Sequence, residues 1–165
     1  MTKPQEVFLL LLSNARHGTE RAAKIYHEIS QKSQIPEVRE VLQARSFVAE
    51  KTLETLDECF KLIGAHPVKT DGRLEDVFLQ DFRRELNDIQ SPGARALYIL
   101  AKASHLQNLR TAEYVALTAA ADITGHHSIG VLLESCLADH LAFVERTRRM
   151  IRNALTERVT ERLAA

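Results

Sequence analysis

The sequence predicts an all-α fold, an antiparallel bundle of four long helices with an additional short helix in the crossover between two of them. Apolar residues recur at i, i+3, i+4 and i+7 over long stretches, which is the spacing of one face of an α-helix. Only four prolines and six glycines interrupt the 165 residues. No linker or repeat of fixed period divides the chain, so residues 1–165 are expected to form one domain.

Short breaks between the apolar patterns place the individual helices. Pro36 is suited to the first turn of a helix, Gly64 is suited to the position just after one, and residues 91–93 form a Ser-Pro-Gly turn. The predicted helices span about 4–30, 36–63, 73–89, 94–123 and 127–151, the third being the short crossover helix. The spacing of Leu155, Val159 and Leu163 extends the last helix, and we expect it to fray after about residue 152.

Helix one combines small residues in the middle of its apolar stripe with a second apolar surface at its start. Ala15, Gly18 and Ala22 let a neighbouring helix approach closely or leave room for side chains opposite. Leu9 and Leu10 lie behind the stripe and need cover from another element or from a second chain. We therefore expect either a homodimer formed through helix one and the crossover helix, or burial of both leucines by the crossover helix.

Several polar residues stand where the apolar stripes call for aliphatic ones, near the middle of the long helices. His140 lies within the apolar face of the last helix, and Arg45 lies near the centre of the helix-two stripe. The full set predicted to form a buried polar cluster is Thr19, Arg45, Thr52, Gln107, Thr111 and His140.

Three interpretations of His140 remain open from the residues alone. In the first, His140 is a core histidine that forms a hydrogen bond with Gln107 or Thr111 across the bundle. In the second, Arg45, Gln107 and His140 line a small pocket for an anion or another ligand. In the third, His140 holds a single iron or zinc ion together with Asp139 or His105, although adjacent helical residues rarely converge on one metal.

A di-iron centre of the type found in helical bundles requires Glu-x-x-His motifs, because residues at i and i+3 can ligate together. None of the seven histidines has an acidic residue three positions before it. Four glutamates near mid-helix are predicted to project from outward faces, namely Glu50, Glu54, Glu113 and Glu134. The sequence therefore predicts no cofactor, with iron or zinc bound by unusual ligands as the alternative.

Three segments resemble the ferritin-like stress proteins of the YciE/YciF family. They are LDECFKLIG at 56–64, the stretch from Tyr114 to His126, and LLESCL at 132–137. The resemblance covers about residues 7–151. It implies a ferritin-like four-helix bundle with an extra short helix in the crossover, usually assembled as a dimer.

The resemblance also shows where this chain departs from the family's metal-binding pattern. The family's polar positions fall on Thr19 in helix one, Arg45 and Val48 in helix two, Gln107 and Asn108 in helix four, and His140 and Val144 in helix five. Several of these changes preserve side-chain size but remove charge and ligand strength. The resemblance thus implies a family member whose di-iron centre has been replaced by a polar core.

Composition and the lack of catalytic motifs exclude several classes of function. Acidic and basic residues balance at 22 each, so no nucleic-acid or membrane partner is expected. The longest apolar run, 7–12, is too short to span a bilayer, and the separated Cys59 and Cys136 carry no metal motif. No nucleophile–base pair or phosphate-binding loop is visible. We expect a cytoplasmic, non-enzymatic protein related to stress, with a metal-binding protein as the alternative.

Overall fold

The computed structural model describes residues 3–164, with side chains described as far as residue 154. Its five α-helices are α1 (Pro4–Gln31), α2 (Pro36–Ile63), α3 (Arg73–Asn87), α4 (Pro92–Ile123) and α5 (His127–Ala164). No strand occurs within 3–164, so the all-helical prediction is confirmed. The α5 backbone continues past Ile151, whereas the fraying predicted for its end, and the side chains of Leu155, Val159 and Leu163, lie outside the described residues.

The helix ends follow from local sequence. Pro36 begins α2, and Gly64 ends it with φ of 65°, a left-handed conformation that glycine adopts without steric cost. The Ser91 side chain accepts a hydrogen bond from the Ala94 backbone N–H at 3.2 Å and caps α4. Because this cap places Pro92 at the first helical position, α4 begins two residues before the predicted start.

Helices that follow one another over a short connection, α1 with α2 and α4 with α5, are antiparallel neighbours. Towards the end of α1, the Ala23 carbonyl accepts a hydrogen bond from Ser46 of α2 at 2.9 Å. Near the middle of α1, Arg16 pairs with Asp57 of α2. Residue numbers therefore rise along α1 while they fall along α2. Helix α1 also packs against α4, and α5 packs against α4 and α2. The short connections at 32–35 and 124–126 require these directions.

Two apolar clusters fill the core, and polar residues lie between them. One cluster contains Tyr26, Leu42, Leu100 and Phe143 among its members, and the other is built from the opposite halves of the same helices. The second cluster includes Phe8, Leu12, Leu56, Phe60, Leu117 and Leu133. The mid-helix positions between them hold buried Thr19, Arg45, Gln107, Arg110 and His140.

The crossover helix α3 lies against α1 and α4. Phe82 and Leu86 anchor it in the first apolar cluster, and Glu75 is buried near its start. It leaves Leu10 48% exposed, whereas Leu9 is half-buried against the second cluster. The alternative in which α3 alone buries both leucines is therefore wrong, because α3 packs farther along α1.

The part of α5 at His127–Ala154 is long enough to cross a membrane and contains an 18-residue window that is apolar enough, with a mean hydropathy of 1.2. A third of that window is buried inside the structure. Core helices of folded domains pass the same test, so the finding is weak evidence for a membrane span.

Candidate functional site

Three side chains from three helices meet between the two apolar clusters. Arg45 of α2, Gln107 of α4 and His140 of α5 are each at most 3% exposed. The Arg45 Nε donates to Gln107 Oε1 at 2.9 Å, and its Nη2 lies 2.9 Å from His140 Nδ1. The Gln107 side-chain amide contacts His140 Nδ1 and donates to the His140 backbone carbonyl at 3.1 Å. We call Arg45, Gln107 and His140 the central polar cluster.

Aromatic rings surround the Arg45 guanidinium. Its Cζ lies 5.6 Å from the ring centroids of both Tyr26 and Phe143, a distance at which the π electrons attract a cation. The Tyr26 hydroxyl donates to Gln107 Oε1 at 2.9 Å. No ion pair within the described part of the chain involves Arg45, and its Nη1 is buried without a hydrogen-bond partner. The cluster thus contains a cation whose direct contacts are all with neutral groups.

The environment keeps His140 neutral. Burial, together with the positive charges of Arg45 and Arg110, lowers the pKa of His140 from 6.5 to about 2. Because the Arg45 and Gln107 nitrogens that approach Nδ1 are both donors, we assign Nδ1 as the acceptor and place the ring proton on Nε2. Burial also lowers the pKa of Arg45, an effect that the Tyr26 and Tyr114 hydroxyls oppose.

A second group of polar residues lies on the other side of the His140 ring. The Tyr114 ring centroid is 4.5 Å from that of His140, and the Tyr114 hydroxyl lies 2.9 Å from Thr19 Oγ1. Arg110 is 1% exposed and donates through Nη2 to Thr19 Oγ1 at 2.9 Å. Its Nη1 pairs with the Glu113 carboxylate. We call Thr19, Arg110, Glu113 and Tyr114 the Arg110 cluster.

The structure distributes the six predicted polar residues over three environments. Arg45, Gln107 and His140 meet in the central polar cluster, whereas Thr19 belongs to the Arg110 cluster. Thr52 and Thr111 take no part in either, which corrects the predicted set. Thr52 Oγ1 donates to the Val48 carbonyl and Thr111 Oγ1 to the Gln107 carbonyl, each at 2.9 Å, because a helical threonine hydroxyl can reach the backbone one turn before it.

The sequence pattern did not indicate Arg110, and helical spacing predicted that Glu113 projects from an outward face. Glu113 is in fact half-buried, because Arg110 draws its carboxylate towards α1. Gly18 could have indicated a long side chain opposite, because a Cβ at this position would lie only 2.0 Å from Arg110 Nη1. The small residue leaves room for a long side chain opposite, as the sequence predicts for this part of helix one.

A family model described as a domain of unknown function (DUF892) matches residues 3–163. The chain belongs to the DUF892 family. Solved structures support the same assignment at the level of the fold, and a comparison with curated protein sequences finds no match. The resemblance to the YciE/YciF family is thereby confirmed.

Three solved structures share the fold of this chain at low sequence identity. The Escherichia coli stress protein YciF aligns with a TM-score of 0.88 and 14% identity, covering 94% of this chain and 99% of its own. YcfI from Rhodopseudomonas palustris aligns with a TM-score of 0.84 and 19% identity, covering 89% and 94%. A protein from Xanthomonas campestris aligns with a TM-score of 0.74 and 14% identity, covering 99% and 100%.

The three residues of the alternative metal set lie in different environments in this DUF892 protein. His140 is buried, whereas His105 and Asp139 are exposed on the surfaces of α4 and α5. Asp139 points away from its neighbour because successive helical residues are about 100° apart. Within the described part of the chain, no three His, Cys, Asp or Glu side chains are grouped so that they could hold a metal ion.

Proposed function

We propose that this DUF892 protein is a non-enzymatic, ferritin-like stress protein in which a polar core replaces the di-iron centre. One observation carries the proposal: the Arg45 guanidinium lies buried at mid-bundle, bonded to Gln107 and His140. A fixed positive charge there repels a metal cation, and the hydrogen bonds of His140 Nδ1 occupy the nitrogen that could ligate one. The E. coli relative is named a stress protein, and a structural role has been proposed for YcfI.

Metal analysis tests this proposal. Protein purified from cultures supplemented with iron and zinc should contain far less than one metal ion per chain, measured by inductively coupled plasma mass spectrometry. His140→Ala should leave that content unchanged, as should His27→Ala on the exposed face of α1. One tightly held metal per chain that His140→Ala removes would contradict the proposal and support the iron or zinc alternative.

Binding of a small anion beside Arg45 is a second candidate, favoured by the unpartnered Nη1 atom. An anion there would supply the negative charge that the central polar cluster lacks. The test is thermal unfolding in sodium bromide at constant ionic strength. A saturable rise in melting temperature that Arg45→Met abolishes would support an anion site, and equal rises in both proteins would exclude it.

We further propose that the protein is a cytoplasmic homodimer formed through α1 and α3. Leu10 of α1 and Leu74 of α3 are about half exposed in the single chain. Analytical ultracentrifugation should show a dimer, and the double variant Leu10→Ser and Leu74→Ser should sediment as a monomer. Val131→Ser replaces an exposed residue of α5 and should leave the dimer intact. The free, buried thiols of Cys59 and Cys136 suit a reducing compartment.

A further inference from the structure

A cleft of 310 Å³ separates α1 from the start of α3. Ile25 and Leu79 form the apolar part of its walls. Four acidic residues line the cleft and only two basic ones do, so its walls carry a net negative charge. The acidic residues are Glu20, Glu28, Glu75 and Asp76, and the basic ones are Arg21 and Lys24.

Three of the four carboxylates already have a cationic partner. Glu20 accepts from Lys24 Nζ at 3.0 Å, and Asp76 pairs with Arg21. Both carboxylate oxygens of Glu28 accept hydrogen bonds from the Arg83 guanidinium, at 2.7 and 2.8 Å. These pairs account for every acidic residue in the cleft walls except Glu75.

Glu75 is the exception, although it is the most buried of the four. The residue is 6% exposed, and no hydrogen bond or ion pair to its side chain is found within the described part of the chain. The Glu75 carboxylate faces the cleft and has no donor within the described part of the chain, and a largely buried charge is favourable only when a donor or a cation matches it. The position therefore calls for a donor from outside the chain.

Arg110 lies close by, but its charge is already matched. The guanidinium of Arg110 and the Glu75 carboxylate both lie over Gly18, yet Arg110 pairs with Glu113 and donates to the Ala15 carbonyl and Thr19. Burial raises the pKa of Glu113, Arg110 lowers it, and the negative charge of Glu75 raises it again. The three charged groups together carry one uncompensated negative charge.

We propose that this cleft binds a primary aliphatic amine, whose ammonium group donates to the Glu75 carboxylate. The methylene chain of the amine lies along Ile25 and Leu79, and the net negative charge of the walls favours a second ammonium group. An ammonium group is a compact point charge with three donors, which suits one buried carboxylate. A metal ion needs several converging ligands, and the described residues offer no such group. The proposal is independent of the proposed function.

Isothermal titration of the full chain with 1,4-diaminobutane tests the proposal. We expect saturable binding with one site per chain, and none with uncharged butane-1,4-diol. Glu75→Gln keeps the size of the side chain but removes its charge, and should weaken binding at least tenfold. Glu54→Gln is the matched control, because Glu54 is exposed on α2 and pairs with Lys51 at 2.8 Å.

A second variant guards against a simple folding defect in Glu75→Gln. Leu79→Lys places an ammonium group one helical turn after Glu75, the favoured order for a Glu–Lys pair. It should raise the melting temperature and abolish binding of the diamine, because the lysine supplies the missing donor. Absence of saturable binding to the unmodified chain, equal binding by Glu75→Gln, or equal binding of the diol would each overturn the proposal.

Discussion

His140 shows how one buried ring links the two polar groups of the core. Its Nδ1 faces donors of Arg45 and Gln107, and its ring lies against Tyr114 of the Arg110 cluster. The spacing of residues predicts that such a histidine is satisfied by hydrogen bonds, but it does not say how many donors depend on it. The number of these donors determines how much stability is lost when His140 is replaced, because each of them is then buried without an acceptor.

His140→Leu should lower the free energy of unfolding by about 2 kcal/mol, since it leaves buried donors of Arg45 and Gln107 without their acceptor. The sequence alone predicts a change of only about 1 kcal/mol and of either sign. Urea unfolding measures the difference, and His27→Leu on the exposed side of α1 serves as the control. An equal or greater stability of His140→Leu would show that the ring is not an essential acceptor.

The low pKa of His140 makes stability depend on pH. The folded state holds the ring neutral down to about pH 2, whereas the unfolded chain binds a proton near pH 6.5. The stabilising contribution is therefore complete above pH 6.5 and decreases as the pH falls below it. Between pH 7 and pH 5 the unmodified protein should lose about 2 kcal/mol more than His140→Leu. Parallel losses in both proteins would mean that the folded ring titrates normally.

Gly18→Ala tests the close contact between α1 and the Arg110 guanidinium. The added Cβ would lie 2.0 Å from Arg110 Nη1, so the buried guanidinium must shift. Overpacking should outweigh the better helix propensity of alanine and lower stability by about 1–2 kcal/mol. In the control Gly130→Ala, the new Cβ meets only the Asp122 carboxylate at 3.2 Å and Ala121 at 3.9 Å. That control should be neutral or stabilising in thermal unfolding, and a reversed order would contradict the packing described.

At the scale of elements, α3 depends on a few residues for its attachment. Phe82 and Leu86 reach the first apolar cluster, while Leu74 and Val77 remain more than half exposed. The Tyr98 hydroxyl of α4 donates to Glu85 at 2.5 Å, and Arg95 of α4 donates to the Leu86 carbonyl at 2.8 Å. These contacts lie towards the end of α3, so its start has less support from the apolar core.

Phe82→Ala should lower stability by about 3 kcal/mol, because it removes a fully buried ring and leaves a cavity. The same change should make the 65–91 region more susceptible to limited proteolysis. Leu74→Ala alters an exposed leucine on the same helix and should change neither measurement by much. Unchanged cleavage of Phe82→Ala would mean that polar contacts alone keep α3 in place.

For the whole molecule, the central polar cluster interrupts an otherwise apolar core. Such a layer costs stability because Arg45 is buried as a cation without an anionic partner within the described part of the chain. It also defines how the helices align, since Arg45, Gln107 and His140 satisfy one another only when α2, α4 and α5 keep this register.

Arg45→Met should therefore raise the free energy of unfolding, by about 1 kcal/mol. Gln107 Oε1 keeps the Tyr26 hydroxyl as a donor, and His140 Nδ1 keeps the Gln107 amide, so no acceptor is abandoned. Urea unfolding in low-salt buffer is the measurement. Arg149→Met, which removes an exposed arginine paired with Glu145, should change stability by less than about 0.5 kcal/mol. A clear loss of stability in Arg45→Met would favour the bound-anion candidate.

The sequence by itself determined the five helices and the inward positions of Arg45, Gln107 and His140. It could do so because helical periodicity, proline, glycine and capping residues act locally. Only the tertiary structure decided which polar groups meet. Thr52 and Thr111 share the inward stripes but bond to their own helices, whereas buried Arg110 and Glu75 depend on a gap at Gly18 that neighbouring helices fill. Such contacts arise between residues distant in the chain, so a small residue such as Gly18 indicates room on its helix but spacing within that helix does not identify which side chain fills it.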